Sequence, residues 1–192
     1  WQKALMGHKV EVESRVQQPG GEQHWFRRVF YPLRDATGRV VRIDGLMEDT
    51  TEAKAMLERL HALATTDSLT GLPNRTLFSD RLTQAIAAAS RSEDRQVVLM
   101  LMDLNHFKEI NDTLGHPAGD QILVMVARRL STALRDSDTL ARLGGDEFGI
   151  LLPDIKNGRK TVDKVAGKIL QCFIAPFKCG DNELYLGAAV GA

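Results

Sequence analysis

Between Val10 and Val16 apolar and polar residues alternate, with Val10, Val12, Ser14 and Val16 on one side and Glu11, Glu13 and Arg15 on the other. That period of two predicts a strand with one covered face. Pro19-Gly20-Gly21 forms a turn. A second strand is expected over His24–Pro32, carrying Trp25, Phe26, Val29, Phe30 and Tyr31, and a third over Val40–Met47 after the Asp35-Ala36-Thr37-Gly38 turn. Three strands on short turns predict an antiparallel meander. No helix is expected before it. From Thr50 to Thr66 the period changes. Met56, Leu57, Leu60, Leu63 and Ala64 mark one helical stripe, with Thr50 or Thr51 as the expected cap and Glu52 in the first turn. The stripe is narrow, which suits either a seam with a second chain or packing on its own domain.

After Asp67 strands alternate with helices. Asn74–Arg91 reads as an amphipathic helix with Leu77, Leu82, Ile86 and Ala89 inward. Gln96–Leu104 is nearly continuous in apolar residues, the pattern of a strand buried on both faces. Helices follow over Asn105–Leu114 and Ala118–Leu134, then short strands over Thr139–Leu143 and Glu147–Leu152 around Gly144-Gly145-Asp146. A helix over Gly158–Phe173 and a last strand over Leu184–Val190 complete the series. The order predicts an α/β sheet with helices packed on it.

Composition narrows the function. Of 192 residues 43% are hydrophobic and 26% charged, with 25 basic against 25 acidic side chains, so disorder is not expected. No apolar run approaches the roughly 20 residues of a membrane span. Charge balances in both parts, ten basic and nine acidic residues over 1–66 and fifteen and sixteen over the rest, so no general nucleic-acid partner is expected. Cys172 and Cys179 are too few for a disulfide framework and suit a reducing cytoplasm. The chain begins at Trp1 without a signal peptide and reads as a fragment, so membrane attachment of the full-length protein stays open.

Two places carry candidate chemistry. In Arg142-Leu143-Gly144-Gly145-Asp146-Glu147-Phe148 the glycines permit positive φ at a hairpin tip, and Asp146 and Glu147 present oxygen ligands suited to a hard cation. In Asp103-Leu104-Asn105-His106-Phe107-Lys108, Asp103 ends the most apolar strand, where sheet proteins place ligands. The helix after it offers free N–H groups to phosphate, and Lys108 in its first turn opposes the helix dipole unless an anion is present. Asp103 and Asp146 together could hold Mg²⁺ between neighbouring strands, with nucleotide phosphates completing the shell. The Walker pattern is missing, since Gly158-Arg159-Lys160-Thr161 lacks the glycine before Lys160.

Four blocks in order, Asp67-Ser68-Leu69-Thr70-Gly71-Leu72-Pro73-Asn74-Arg75, Asp103 to Asp112, Gly115-His116 with Gly119-Asp120, and Gly144 to Phe148, closely resemble the GGDEF family. The meander ending Asp49-Thr50-Thr51-Glu52 resembles the closing strands of a PAS sensor. The resemblance divides the chain into the C-terminal part of a PAS-like domain over 1–49, a linker helix over 50–66, and a GGDEF domain over 67–192. It implies a ferredoxin-like palm, of α+β or α/β class, with a mostly antiparallel central sheet, flanking helices and an N-terminal β-meander joined by a signalling helix. The implied activity is that of a diguanylate cyclase, joining two GTP into cyclic di-GMP and two pyrophosphates between the halves of a homodimer.

By the same resemblance Asp103 and Asp146 hold Mg²⁺ or Mn²⁺, helped by the Leu104 carbonyl and Glu147, and Asp146 takes the 3′-hydroxyl proton. Asn111 and Asp120 read guanine, His116 lines that pocket, and His106, Phe107 and Lys108 cradle phosphate beside Gly144 and Gly145. Arg135 and Asp138 match the family's Arg-x-x-Asp inhibitory site for product. Two departures stand out. Asn105 occupies a position where the family often has a second acid. The chain also stops at a segment resembling the penultimate core strand, so the domain is expected to be C-terminally incomplete and its turnover impaired, with further domains before residue 1 or after residue 192. The competing readings are a GTP-binding module that tunes a downstream cyclic di-GMP phosphodiesterase, and a cyclic di-GMP receptor.

Overall fold

The alternation at the start of the chain builds an antiparallel sheet of order β1-β2-β3, from β1 (Val10–Gln17), β2 (Gln23–Arg34) and β3 (Val40–Asp49). The computed structural model describes residues 2–91, 94–156, 158–180 and 182–192. Contrary to the expectation of no preceding helix, a single turn, α1 (Gln2–Leu5), comes first and buries Ala4. The exit from β3 into α2 (Thr51–Thr65) is capped by Asp49 rather than by Thr50 or Thr51: its Oδ1 accepts from the Thr51 N–H at 2.9 Å. The Thr51 hydroxyl donates to the same Asp49 oxygen and accepts from the Trp25 N–H at 2.8 Å. This cross-link of β2 to the helix start explains why a threonine serves one position later than a capping residue would. The α2 stripe forms as expected, and Met56, Leu57, Leu60 and Leu63 are all exposed.

The chain divides into two compact units, the first ending at His61 and the second spanning Ala62–Ala192. In the second, α3 (Arg75–Ala89) begins where the Asn74 side chain accepts from the Leu77 N–H at 3.1 Å. The sheet that follows consists of β4 (Gln96–Leu104), β5 (Thr139–Gly144), β6 (Glu147–Ile155) and β9 (Ala188–Gly191), in the order β5-β6-β4-β9 with every neighbouring pair antiparallel. Two helices, α4 (Phe107–Leu114) and α5 (His116–Ala133), connect β4 to β5, and α6 (Gly158–Gln171) follows β6. This β-α-β-β-α-β succession with the first strand beside the third and fourth is the ferredoxin-like arrangement. The expected final strand over 184–190 is in fact divided. Its first residue closes a small hairpin of β7 (Phe177–Cys179) with β8 (Asn182–Leu184), and only β9 joins the main sheet.

Alternation sorts the sheet into two faces. Met100, Met102 and Leu104 of β4, with Phe148, Ile150 and Leu152 of β6, pack on Ile122, Val126 and Leu130 of α5 and Ile169 of α6. Each such side chain removed from water contributes about 1.5–3 kcal/mol, which makes this layer the main source of stability. The opposite face is only partly covered. Phe78 of α3 packs with Ala141 and Leu151. Gly149 admits it, since a Cβ there would stand 2.8 Å from Phe78 Cζ. Phe78, not Ile86, is the inward anchor, and Ile86 lies exposed. Strand β4 is likewise buried on one face only: Leu99 and Leu101 are 37% and 52% exposed. An apolar run therefore marked a strand correctly but overstated its cover, because α3 reaches β5 and β6 more than β4.

Candidate active site

The odd-numbered end of β4 carries Asp103 onto the partly open face, where register pairs it with Glu147 across the ladder to β6. Between β5 and β6 the chain reverses through Gly145 and Asp146, flanked by the pair Gly144–Glu147. Gly144 has φ +147° and Gly145 φ +54°, values that side-chain-bearing residues rarely adopt, so the two glycines make this tight reversal feasible. Asp146 is half-buried and Glu147 exposed. The structure thus brings Asp103, Asp146 and Glu147 to one corner. Their mutual influence is visible in the Asp103 carboxyl, which is pushed above the usual carboxylate range by its partial burial and then by the charges of Asp146 and Glu147. Leu104, whose carbonyl was the expected fourth donor, is buried and paired with Ala188 of β9.

A cleft of about 440 Å³ opens at this corner, lined by Asp103, Glu147, Arg75, Leu101, Leu143 and Ala189 among others. Arg75 was not anticipated. Its Nε donates to the Leu143 carbonyl at 3.1 Å and its Nη2 to Glu147 Oε2 at 3.2 Å, so α3 supplies the countercharge on the hairpin. It lies inside the first motif block, but only the fold reveals that residue 75 reaches residue 147. A second arginine braces the same hairpin from within. Arg142 donates from Nε to the Gly145 carbonyl at 2.9 Å and from Nη1 to both oxygens of Asp67. Burial opposes ionisation of Asp67, but hydrogen bonds from Thr70 and Arg142 outweigh it and hold the carboxyl below its usual range.

Past Asp103 the backbone turns sharply. His106 sits at the start of α4 with φ +59° and offers no side-chain cap; its ring Nδ1 lies 2.8 Å from Glu109 Oε1 instead. The first N–H groups of α4 are consequently left without a side-chain acceptor from His106. Phe107 is buried beneath them and Lys108 is exposed beside them. Asn111 of α4 meets α5 at Gly119, where a Cβ would stand 2.0 Å from Asn111 Oδ1. The next residue, Asp120, is exposed and borders a cleft with Leu69, Val124 and Arg128, while His116 is exposed at the start of α5. Asn105 lines a separate cleft with His106, Glu109 and Tyr185.

The Arg135–Asp138 segment is a closed turn after α5. The Arg135 N–H donates to Asp138 Oδ2 at 3.0 Å and the Asp138 N–H to the Arg135 carbonyl at 2.9 Å. The Arg135 side chain is exposed. Among the described residues no three His, Cys, Asp or Glu side chains gather closely enough to enclose a metal by themselves. The donor set at Asp103, Asp146 and Glu147 is nonetheless all carboxylate oxygen, the chemistry that hard divalent cations prefer. No helix of the described residues is long and apolar enough to cross a membrane.

A ferredoxin-like domain with acidic residues at the Gly-Gly turn is a recognisable kind of protein, and comparison identifies it. The chain belongs to the GGDEF family: the family model described as diguanylate cyclase, GGDEF domain, matches residues 64–192, and a PAS fold model matches residues 1–55. Diguanylate cyclase TpbB of Pseudomonas aeruginosa is 45% identical over 117 residues, covering 61% of this chain and 26% of TpbB. The solved GGDEF domain of TpbB is 40% identical with a TM-score of 0.62, over 66% of this chain and 73% of that one. Cyclic di-GMP phosphodiesterase PdeR of Escherichia coli is 38% identical over 186 residues, covering 96% of this chain and 27% of PdeR. The coiled coil and GGDEF domain of DgcB from Caulobacter crescentus, solved in complex with c-di-GMP, is 29% identical with a TM-score of 0.65, over 73% of this chain and 74% of that one. The chain therefore spans about a quarter of each of the two curated relatives, 26% and 27%.

Proposed function

We propose that this chain is the catalytic and regulatory part of a diguanylate cyclase, condensing two GTP into cyclic di-GMP with release of two pyrophosphates. The observation that carries the reading is the juxtaposition of Asp103 with Glu147 and Asp146 beside the Gly144-Gly145 turn in a chain of the GGDEF family. In this reading residues 1–49 belong to a PAS-type sensor, 50–66 form the joining helix and 67–192 the cyclase domain. Asp103, Asp146, Glu147 and the Leu104 carbonyl would hold magnesium or manganese. Such an ion, when bound, polarises phosphate oxygens and lowers the pKa of the attacking hydroxyl.

The chain's own groups do the rest. His106, Phe107 and Lys108 present N–H groups and one positive charge to the phosphates, which needs the first turn of α4 left uncapped. Asn111 and Asp120 read the base, the carboxylate accepting from its N1–H and N2–H and the amide pairing with its edge, with His116 alongside. Asp146 accepts the proton of the 3′-hydroxyl. Each domain holds one GTP, so a homodimer is required for the bond to form. Arg135 and Asp138 bind product and limit turnover.

Incubation of the protein with GTP and Mg²⁺, followed by assay for cyclic di-GMP and pyrophosphate, tests the reading. Asp146→Ala should abolish both products while leaving circular dichroism unchanged. GTP binding without either product would favour the regulatory module that the match to PdeR makes the second reading.

A further inference from the structure

The residue that follows the Arg135–Asp138 turn is Thr139, the only buried polar side chain among the described residues of the core. Its hydroxyl accepts from Arg81 Nη1 of α3 at 3.1 Å. Beside this bond lies a cleft of about 420 Å³ whose walls include Arg81, Gln84, Asp136, Ser137 and Thr139. A guanidinium carries five N–H donors in a planar fork, and the Thr139 bond occupies one of them. Arg81 thus stands on the cleft wall with fork donors to spare, and Asp136 adds an acceptor to the same cleft.

That pairing is the complement of guanine. The base presents N7 and O6 as adjacent acceptors, which arginine reads in bidentate fashion, and it presents N–H donors that a carboxylate accepts. Cyclic di-GMP has two guanines and two phosphodiesters, and Arg135 with Asp138 offers one cation and one acceptor. Arg81 with Asp136 repeats the same two chemical types at the same turn. We infer that Arg81 is a guanine-reading residue of the product site, seating one base of cyclic di-GMP in the cleft between α3 and the 135–138 turn. The inference rests on the reading of Arg135 and Asp138 as that site. Adenine places an amino donor where guanine has O6, so Arg81 also confers selection against the adenine analogue.

Calorimetric titration of the full chain with cyclic di-GMP and with cyclic di-AMP tests this. Arg81→Ala should weaken cyclic di-GMP binding about tenfold or more, the scale of a lost charge-assisted hydrogen bond. Cyclic di-AMP binding should hardly change, so the ratio of the two affinities collapses. Arg81→Lys should keep the charge and still lose the selectivity, because the fork is gone. Thr139→Val should retain it, since Arg81 is intact. Wild-type affinity in Arg81→Ala together with a loss in Arg135→Ala overturns the assignment of Arg81 and leaves the product site standing. Wild-type affinity in Arg135→Ala overturns the product site itself. A loss in Thr139→Val equal to that in Arg81→Ala would reduce Arg81 to a support for the turn. Should Arg81→Ala fail to fold by circular dichroism, Arg81→Lys decides, and unchanged selectivity in it overturns the inference.

Discussion

Asp103 and Glu147 stand opposite each other as register partners on β4 and β6, so two carboxylates face one another across a ladder with a third, Asp146, one residue away. Like charges placed so cost a few tenths to about 1 kcal/mol. A site that retains this repulsion is arranged for a cation. Asp103→Asn should therefore raise the melting temperature slightly in EDTA, by removing one of the repelling charges. Added Mg²⁺ should stabilise the wild type by mass action and leave the variant unmoved. A variant whose melting responds to Mg²⁺ as the wild type does would remove Asp103 from the ion-binding set.

Gly119 leaves Asn111 its place. A methyl group at residue 119 would meet Asn111 Oδ1 at 2.0 Å and Phe107 Cζ at 3.1 Å, so Gly119→Ala must rotate the amide away. In a helix interior alanine is otherwise favoured over glycine by about 1 kcal/mol, which offsets part of the crowding. The expected result is a protein of near wild-type melting temperature whose affinity for GTP falls about tenfold, the loss of roughly one base-reading hydrogen bond. Titration with a non-hydrolysable GTP analogue measures it. Undiminished affinity would show that Asn111 does not touch the base.

The two examples show what a linear string conveys. The strand end at Asp103 and the reversal at Gly144, Gly145 and Asp146 were legible because strand ends and tight turns have local signatures: an apolar run that stops at an acid, and adjacent glycines before two acids. The strand boundaries of β4 matched the expected Gln96–Leu104 for the same reason. Arg75, Arg142 and Asp67 were not legible as site residues, since their meaning lies in contacts 68 to 75 residues apart in sequence. Nor was the cover over Leu101, because whether a face is buried depends on where α3 lands. Ile86 follows the helical period and still faces water, since α3 meets the sheet through Phe78 and Leu82.

Asp67 and Arg142 form the least exposed ion pair among the described residues, with side chains 21% and 13% exposed, and the bond from Arg142 to the Gly145 carbonyl passes that order to the hairpin. Removing one partner leaves the other partly buried without its counterion. Asp67→Ala should cost about 2–3 kcal/mol in urea unfolding, between the values for exposed and fully buried pairs. The double variant with Arg142→Ala should cost less than the sum of the singles, because the two residues share one network. Additive costs would mean that the pair is not an energetic unit.

His24 and Asp49 fasten the exit of the N-terminal sheet, with ring Nδ1 at 2.9 Å from Asp49 Oδ2 while Asp49 Oδ1 holds the Thr51 N–H. The hydrogen bond to Asp49 raises the His24 pKa above 6.5 against a smaller opposing effect of burial, with Glu22 adding to the rise. Hydrogen bonds from Thr51 and then His24 lower the Asp49 carboxyl from 3.8 to about 2. The signs fix the window. A histidine whose folded pKa is raised contributes stability that is complete below 6.5 and disappears as pH rises through the folded value. A carboxyl whose folded pKa is depressed contributes stability that is complete above 3.8 and disappears as pH falls toward 2. The β2–β3 exit should therefore be held most firmly between pH 3.8 and 6.5. Proton NMR of the His24 ring should give a midpoint above 6.5 that returns toward 6.5 in Asp49→Asn, and His24→Gln should flatten the fall in melting temperature above that pH. A midpoint at or below 6.5 in the wild type would dissolve the pairing and with it the pH window.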